Sequence, residues 1–408
     1  MSRTLERRLK RWLIDVLGNL LRSRSPHAFP DWRARPHRVL FLRYGRIGDM
    51  VLSTGTIKAI TCALPTITVD VLASELNAAV LSGNPHVDTV ISIDKKRPWT
   101  YLTAIIHMRR AHYDAVVDAM LLSPSLTTTL LMLCSGAPHR IGLAGRGNDS
   151  VLTAPVTPIP GATHYVDRSA ALLTAFGLSV SMPDTQLLSS DSASGLWQPE
   201  LFLTVKESCA GELHWRCADT FAPGRSSRRR LVVNVSASRR DRYWPERKFI
   251  AALVQLRTCY PDVQILIVGL PRDLGRMSWV GVGAGAAVVR TRHYRQMMAI
   301  VAASDFVLTA DTSVTHVASA FSKPVVVLFP GREEGGACWG PYGTSGKVVW
   351  AGGPFESLEV GAVVGALQEL MSRHPTTVRV SLGDRRRSAV TDGVWTQSGV
   401  AGEHILSS

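Results

Sequence analysis

At 408 residues the chain is too long for one ordinary hydrophobic core, and the usual domain size predicts two domains with extra segments. Its 46% hydrophobic content is globular, while no uninterrupted apolar stretch approaches the roughly 20 residues of a spanning helix, so the chain reads as soluble or peripheral. Six cysteines (Cys62, Cys134, Cys209, Cys217, Cys259 and Cys338) form no C-x-x-C pair and have no His at zinc spacing, which argues against a disulfide scaffold or metal knuckle and fits a reducing cytosol.

The net charge of +14 is uneven, because residues 1–38 hold ten Lys and Arg against three acids. Within them Leu5, Trp12, Leu13, Val16, Leu17, Leu20 and Leu21 recur at helical spacing, flanked by Arg7, Arg8, Lys10, Arg11, Arg22 and Arg24. This predicts a basic amphipathic extension over 1–37, lying either on an anionic membrane surface or on its own protein. No small-residue cleavage site follows, so a secretory signal is not expected.

Apolar, β-branched runs then occur at 39–43, 67–72, 89–93, 115–118 and 140–143, and again at 231–235, 263–268, 287–290, 305–309 and 324–329. Amphipathic segments lie between many of them, and such alternation implies parallel sheets with helices on both faces. Between the two sets the composition changes, with Ser-rich and Gly-containing runs at 191–195 and 223–227. The expected organisation is a first doubly wound domain at 38–195, a linker region at 196–230, a second such domain at 231–372 with a cleft between them, and a mobile tail at 373–408.

Ligands of doubly wound sheets bind where loops leave the carboxyl ends of strands. The first such loop carries Gly45 and Gly48, which let backbone turn tightly and approach a ligand, and then Asp49 at the mouth of a helix over 50–60. From position alone Asp49 is either a cap that complements the helix dipole or a functional carboxylate. The strand at 231–235 runs into Ser236, Ser238, Arg239, Arg240 and Arg242, whose hydroxyls and guanidiniums suit phosphate oxygens, with Pro245 placed to begin a helix. The strand at 305–309 leads to Asp311, Thr312 and Ser313, with His316 one turn on, so the start of that helix is a second candidate anion site.

Three stretches together carry a resemblance: R-Y-G-R-I-G-D-M-V at 43–51, S-R-R-D-R-Y-W-P-E at 238–246, and D-T-S-V-T-H-V-A at 311–318 followed by K-P-V-V-V-L-F-P-G at 323–331. In this order they resemble glycosyltransferase family 9, the heptosyltransferases of lipopolysaccharide core assembly, over about 38–353. The resemblance implies a GT-B fold, two Rossmann-like domains facing across a cleft. It also implies that Asp49 is the general base that takes the acceptor hydroxyl's proton, and that Arg46, Gly48 and His164 lie on the acceptor side, His164 serving either substrate contact or structure. Ser238, Arg242, Asp311, Thr312, Ser313 and His316 then fall on the donor's phosphate and sugar, and Asp273 is the nearest match to the acid that contacts the ribose. The family commonly has Lys where Arg242 stands and Gly where Ser313 stands, so the donor class is better specified than the donor.

Other phosphate motifs fail. The run 343–347 has Pro341 where a P-loop needs its first glycine and Val348 where it needs a hydroxyl. Gly281, Gly283 and Gly285 precede a strand and have the wrong spacing for a dinucleotide fingerprint, so a loop is expected there, and 339–343 reads as a packing turn near the cleft rim.

The implied function is inverting, metal-independent transfer of heptose from ADP-heptose to a lipopolysaccharide core acceptor, with no cofactor required. The enzyme would sit in the cytoplasm, peripheral on the anionic inner-membrane surface, whose acceptor phosphates and acidic sugars suit the basic excess. Alternatives are a GT-B enzyme with another nucleotide sugar or a protein acceptor, and a basic nucleic-acid binder. The pI near 9.9 motivates the last, but no nucleic-acid module is visible.

Overall fold

The computed structural model describes residues 14, 16, 29–122, 125–180, 197–218, 229–331 and 338–374. Apart from helical Ile14 and Val16, the amphipathic segment before residue 29 lies outside them, as do the runs 191–195 and 223–227 and the tail from 375.

Among the described residues twelve strands form two six-stranded sheets, parallel throughout. The first contains β1 (His37–Leu42), β2 (Ile67–Ser74), β3 (Val90–Ile93), β4 (Ala115–Asp118), β5 (His139–Leu143) and β6 (Ala154–Val156), in the order β3-β2-β1-β4-β5-β6. The second contains β7 (Arg230–Asn234), β8 (Gln264–Val268), β9 (Ala287–Val288), β10 (Phe306–Ala310), β11 (Val325–Phe329) and β12 (Gly346–Trp350), in the order β12-β11-β10-β7-β8-β9. In each sheet the order in which strands are added therefore reverses once, between β1 and β4 and between β7 and β10. At such a switch the loops part and leave a crevice beyond the carboxyl ends of the strands.

The helices of the first half are α1 (Ile47–Ala63), α2 (Glu75–Ala78), α3 (Trp99–Ala111), α4 (Leu126–Ser135) and α5 (Tyr165–Ala170). They are followed by α6 (Val205–Ala218), α7 (Glu246–Cys259), α8 (Leu274–Gly283), α9 (Tyr294–Ala302), α10 (Ser313–Ala320) and α11 (Val360–Arg373). Side chains alternate across each strand, so one apolar run feeds two cores. Leu40 and Leu42 pack outward with Ala104 and Met108 of α3, while Val39 and Phe41 pack inward with α1. In the second sheet Val326 and Leu328 face α7 and α11, whereas Val325, Val327 and Phe329 face inward. The two inward faces belong to one continuous cluster that includes α1, α5, α9 and α10, and each fully buried aliphatic there stabilises by about 1.5–3 kcal/mol. That shared layer fixes one switch loop against the other.

Three details differ from the sequence reading. β6 and β12 are additional edge strands, and their Pro155 and Lys347 are residues that sheets tolerate or favour at edges. Gly281 and Gly283 are helical, not in a loop: each backs onto a neighbour, Val288 or Ile250, where a Cβ would come within 2.6 Å. The first helix starts at Ile47, ahead of Asp49. Among the described residues no helix is long and apolar enough to cross a membrane.

Candidate active site

β1 passes through 43–46 into α1, whose N-cap is the extended residue Arg46, with no side-chain cap. Asp49 stands in the first turn but does not cap it; its Oδ2 lies 2.9 Å from Arg43 Nη2. The Arg43 side chain is 3% exposed and that of Asp49 19%. A cation removed from water to that extent needs a partner, and Asp49 supplies it. Arg43 also lies over the Tyr165 ring at 4.9 Å and donates from Nη1 to Met120 Sδ at 3.3 Å. Asn77 Nδ2 donates to the carbonyls of Arg43 (3.0 Å) and Gly45 (3.4 Å), so the loop backbone is pinned from the neighbouring strand's exit.

In the second sheet, Asn234 ends β7 with its Nδ2 3.0 Å from Thr309 Oγ1 and 3.2 Å from Thr312 Oγ1. Thr312 in turn caps α10, accepting from the Val314 N–H at 3.2 Å. Arg242 Nη1 lies 2.5 Å from Asp311 Oδ2. Burial raises the Asp311 carboxyl above its ordinary value, and Arg242 and Arg46 oppose the rise, so the first switch loop acts electrostatically on the second. Ser238 is exposed on its loop. That loop is held from behind: Arg276 Nε donates to Val235 O at 2.8 Å, Arg272 Nη2 to Ala237 O at 3.0 Å, and the Tyr243 hydroxyl lies 2.8 Å from Asp273 Oδ2.

Gly48 sets the separation of the two loops. A Cβ there would come 2.6 Å from His316 Cδ2 and 3.4 Å from the Ser313 Cα, so the first turns of α1 and α10 touch, with Asp49 one residue on. Neither Gly45 nor Gly48 has a positive φ, so the close approach that Gly48 permits is between helices and not a tight turn. Burial pushes the His316 imidazole down to about 3, with His164 a further contributor, so His316 is neutral at pH 7. Its Nδ1 has no hydrogen-bond partner among the described residues.

His164 occupies the same seam but is engaged in packing. It stacks on Tyr342 at 4.7 Å, its Nδ1 accepts from the Val166 N–H at 3.2 Å, and its Nε2 donates to Gly340 O at 3.2 Å. Burial lowers it to about 4. Trp339 stacks on Tyr165 at 5.1 Å and Tyr342 donates to Asp167 Oδ1 at 2.6 Å, so the turn at 339–343 joins the two halves.

The structure thus brings Gly48, Asp49, Ser313 and His316 together and places Arg46 near the Asp311–Arg242 pair. Thr312 serves its helix, Asp273 is tied to Tyr243, and Ser238 stands apart on its exposed loop. Sequence reasoning missed Arg43, Asn234 and Tyr165; the available signal was a cation and an amide at the ends of buried strand runs, where lone polar groups are costly. Among the described residues no three His, Cys, Asp or Glu side chains are grouped to hold a metal ion. The arrangement sets an acid in the first turn of α1, held by a buried guanidinium, next to the contact between α1 and the start of α10, which suits proton abstraction beside an anion.

The model of Glycosyltransferase family 9 (heptosyltransferase) matches residues 103–358. Lipopolysaccharide heptosyltransferase 3 of Escherichia coli K12 is 23% identical over 321 residues, covering 75% of this chain and 85% of that protein. Lipopolysaccharide heptosyltransferase 1 of the same strain is 25% identical over 339 residues, covering 79% and 95%. Among solved structures, a family 9 glycosyl transferase from Veillonella parvula superposes with a TM-score of 0.69 at 17% identity, covering 84% of this chain and 99% of that one. The E. coli heptosyltransferase WaaC with ADP superposes with a TM-score of 0.63 at 20% identity, covering 82% and 100%. The fold is GT-B, and the chain belongs to glycosyltransferase family 9, the heptosyltransferase family.

Proposed function

We propose that this enzyme transfers heptose from ADP-heptose to a lipopolysaccharide core acceptor, with inversion and without a metal ion, at the cytoplasmic face of the inner membrane. The observation that carries the reading is the contact of Gly48 with His316 and Ser313, which sets the lone carboxylate of the first switch loop beside the helix start of the second. Support for the donor comes from the relatives, one of which is solved with ADP and also with ADP-2-deoxy-2-fluoro heptose.

In this reading Asp49 takes the proton of the acceptor hydroxyl as its oxygen attacks the anomeric carbon. The bond from that carbon to the diphosphate oxygen breaks, and ADP leaves from the opposite face, so the configuration inverts. Arg242 and the first N–H groups of α10 meet the charge that grows on the diphosphate, and neutral His316 packs behind them. Arg46, exposed across from Asp311, and Ser238, exposed on its own loop, are assigned to substrate contact, and Asp273, bonded to Tyr243, to the nucleoside side. A different nucleotide sugar is the second reading, favoured by Arg242 and Ser313, which change the shape of the diphosphate cradle relative to the Lys and Gly common in the family.

Asp49→Ala should lower turnover by about 10²- to 10⁴-fold while leaving ADP affinity within a few-fold of the parent. Release of free ADP from ADP-heptose with a truncated core acceptor, together with calorimetric ADP binding, measures both. Undiminished turnover removes the base assignment, and UDP release from a UDP-sugar in a donor panel reassigns the donor.

A further inference from the structure

The helix α3 has two apolar faces, and only one is used. Ala104 and Met108 are buried against the first sheet. On the opposite side Trp99 and Leu102 are each 61% exposed, and Ile106 is exposed with them. The spacing i, i+3, i+7 makes these three one stripe along the outer surface of the helix. The stripe does not end at the helix. Arg97 pairs with Asp94 at 2.9 Å and with Glu75 at 3.1 Å, which ties the start of α3 to the start of α2, where Leu76 is 76% exposed. Nothing among the described residues covers this surface.

Its charge is predominantly positive. From 94 to 112 the chain carries five Lys and Arg against one acid, Asp94, which Arg97 already holds. Lys95 and Lys96 stand exposed before the stripe and Arg109 and Arg110 after it, and α3 itself contains no acid. Apolar residues with a tryptophan, bracketed by long cationic side chains, match the division of a bilayer interface, where rings and aliphatics enter the headgroup boundary and ammonium and guanidinium groups meet lipid phosphate.

Position adds the functional link. Trp99 and Leu76 follow the exits of β3 and β2, at the same carboxyl-end rim of the sheet from which the Asp49 loop leaves β1. We propose that the outer surface formed by Leu76, Lys95, Lys96, Trp99, Leu102 and Ile106 docks on an anionic lipid bilayer, with the carboxyl-end rim of the sheet along its edge, and so keeps the enzyme at the membrane surface. The purpose assigned to it rests on the reading that the acceptor is a lipid-anchored glycan, whereas the docking itself does not.

The test uses the full chain with sedimented vesicles of phosphatidylcholine, with and without phosphatidylglycerol, at low and high salt. The parent should bind the phosphatidylglycerol vesicles and lose most of that binding in salt. Trp99→Gln/Leu102→Gln/Ile106→Gln should bind roughly tenfold more weakly, and Lys95→Glu/Lys96→Glu should lose the salt-sensitive part. Both sets change exposed side chains, so circular dichroism and turnover on a delipidated, soluble acceptor should match the parent. Vesicle binding by the triple variant equal to the parent's overturns the proposal and leaves membrane contact to another segment. A parent that does not bind, or a parent dimer that the triple variant converts to monomer, overturns it too, the latter in favour of a second copy on this face. A parent that binds vesicles yet transfers nothing to the soluble acceptor removes the glycosyl-transfer reading and keeps the docking surface.

Discussion

Arg43 governs the carboxylate that the proposed chemistry uses. It stands where β1 ends, almost fully buried, and its guanidinium is shared between Asp49 Oδ2, Met120 Sδ and the Tyr165 face. A guanidinium in that place fixes one carboxylate oxygen and so the direction of the other. Arg43→Met keeps much of the volume and removes that anchor. The kcat should then fall by about tenfold or more with the KM for the donor little changed, because a displaced base loses its alignment. Arg43→Lys should return part of the kcat, because a point charge restores the attraction without the fork. Steady-state rates with varied donor measure all three proteins. A kcat unchanged in Arg43→Met would show that Arg43 only fills space.

At the scale of the element, α1 is a helix whose glycines set distances. Gly48 lets its first turn meet α10, and Gly55 backs onto the chain at Trp197, where a Cβ would come 1.8 Å from a carbonyl oxygen. The two substitutions should separate. At Gly55 the obstacle is backbone, so Gly55→Ala should cost about 1–3 kcal/mol and lower the Tm by several degrees. At Gly48 the nearest atom belongs to the His316 ring, so Gly48→Ala should cost less stability but push Asp49 away from α10 and reduce kcat more than Gly55→Ala does. Calorimetry and turnover on both variants give the comparison, and equal losses of both quantities would sink it. These contacts also mark the limit of what sequence made legible. Ten strands were readable as apolar runs, most plainly β7, β8, β10 and β11, which are buried throughout, and the switch loops followed from strand exits. Short edge strands such as β6, with Pro155 at its centre, have no such run. Gly48 was legible as a close approach, but a sequence does not say whether the neighbour is a ligand or His316. Asp49 was legible as a cap or a functional acid, and its partner Arg43 was hidden by reading the last residue of an apolar run as part of the strand.

The two halves are held at a polar seam that acid should loosen. Arg295 of α9 donates to the carbonyls of Ala79 (3.1 Å) and Ser82 (3.0 Å), and the turn at 339–343 reaches back through Tyr342 to Asp167 and through Gly340 to His164. His164 is neutral there, lowered to about 4 by burial and by nearby Arg168, against about 6.5 in an unfolded chain. The sign follows from proton uptake. Above about pH 6.5 neither state holds the proton and the full contribution is present; as pH falls from there toward 4 the unfolded chain takes up a proton that the folded one refuses, so stability is lost. His316, lowered to about 3, acts in the same direction. For His164 the loss is on the order of 3 kcal/mol across the window. The Tm should therefore fall steeply between about pH 6.5 and 4.5. His164→Gln, which keeps an amide able to donate and accept but cannot take up a proton, should start from a lower Tm at about pH 7.5 and descend less steeply. Scanning calorimetry of both proteins across that range is the measurement, and parallel curves would show that His164 carries none of the acid sensitivity. If the curves diverge, tryptophan fluorescence should change near pH 5 in the parent before global unfolding, because Trp339, stacked on Tyr165 beside His164, reports on the seam as the halves part.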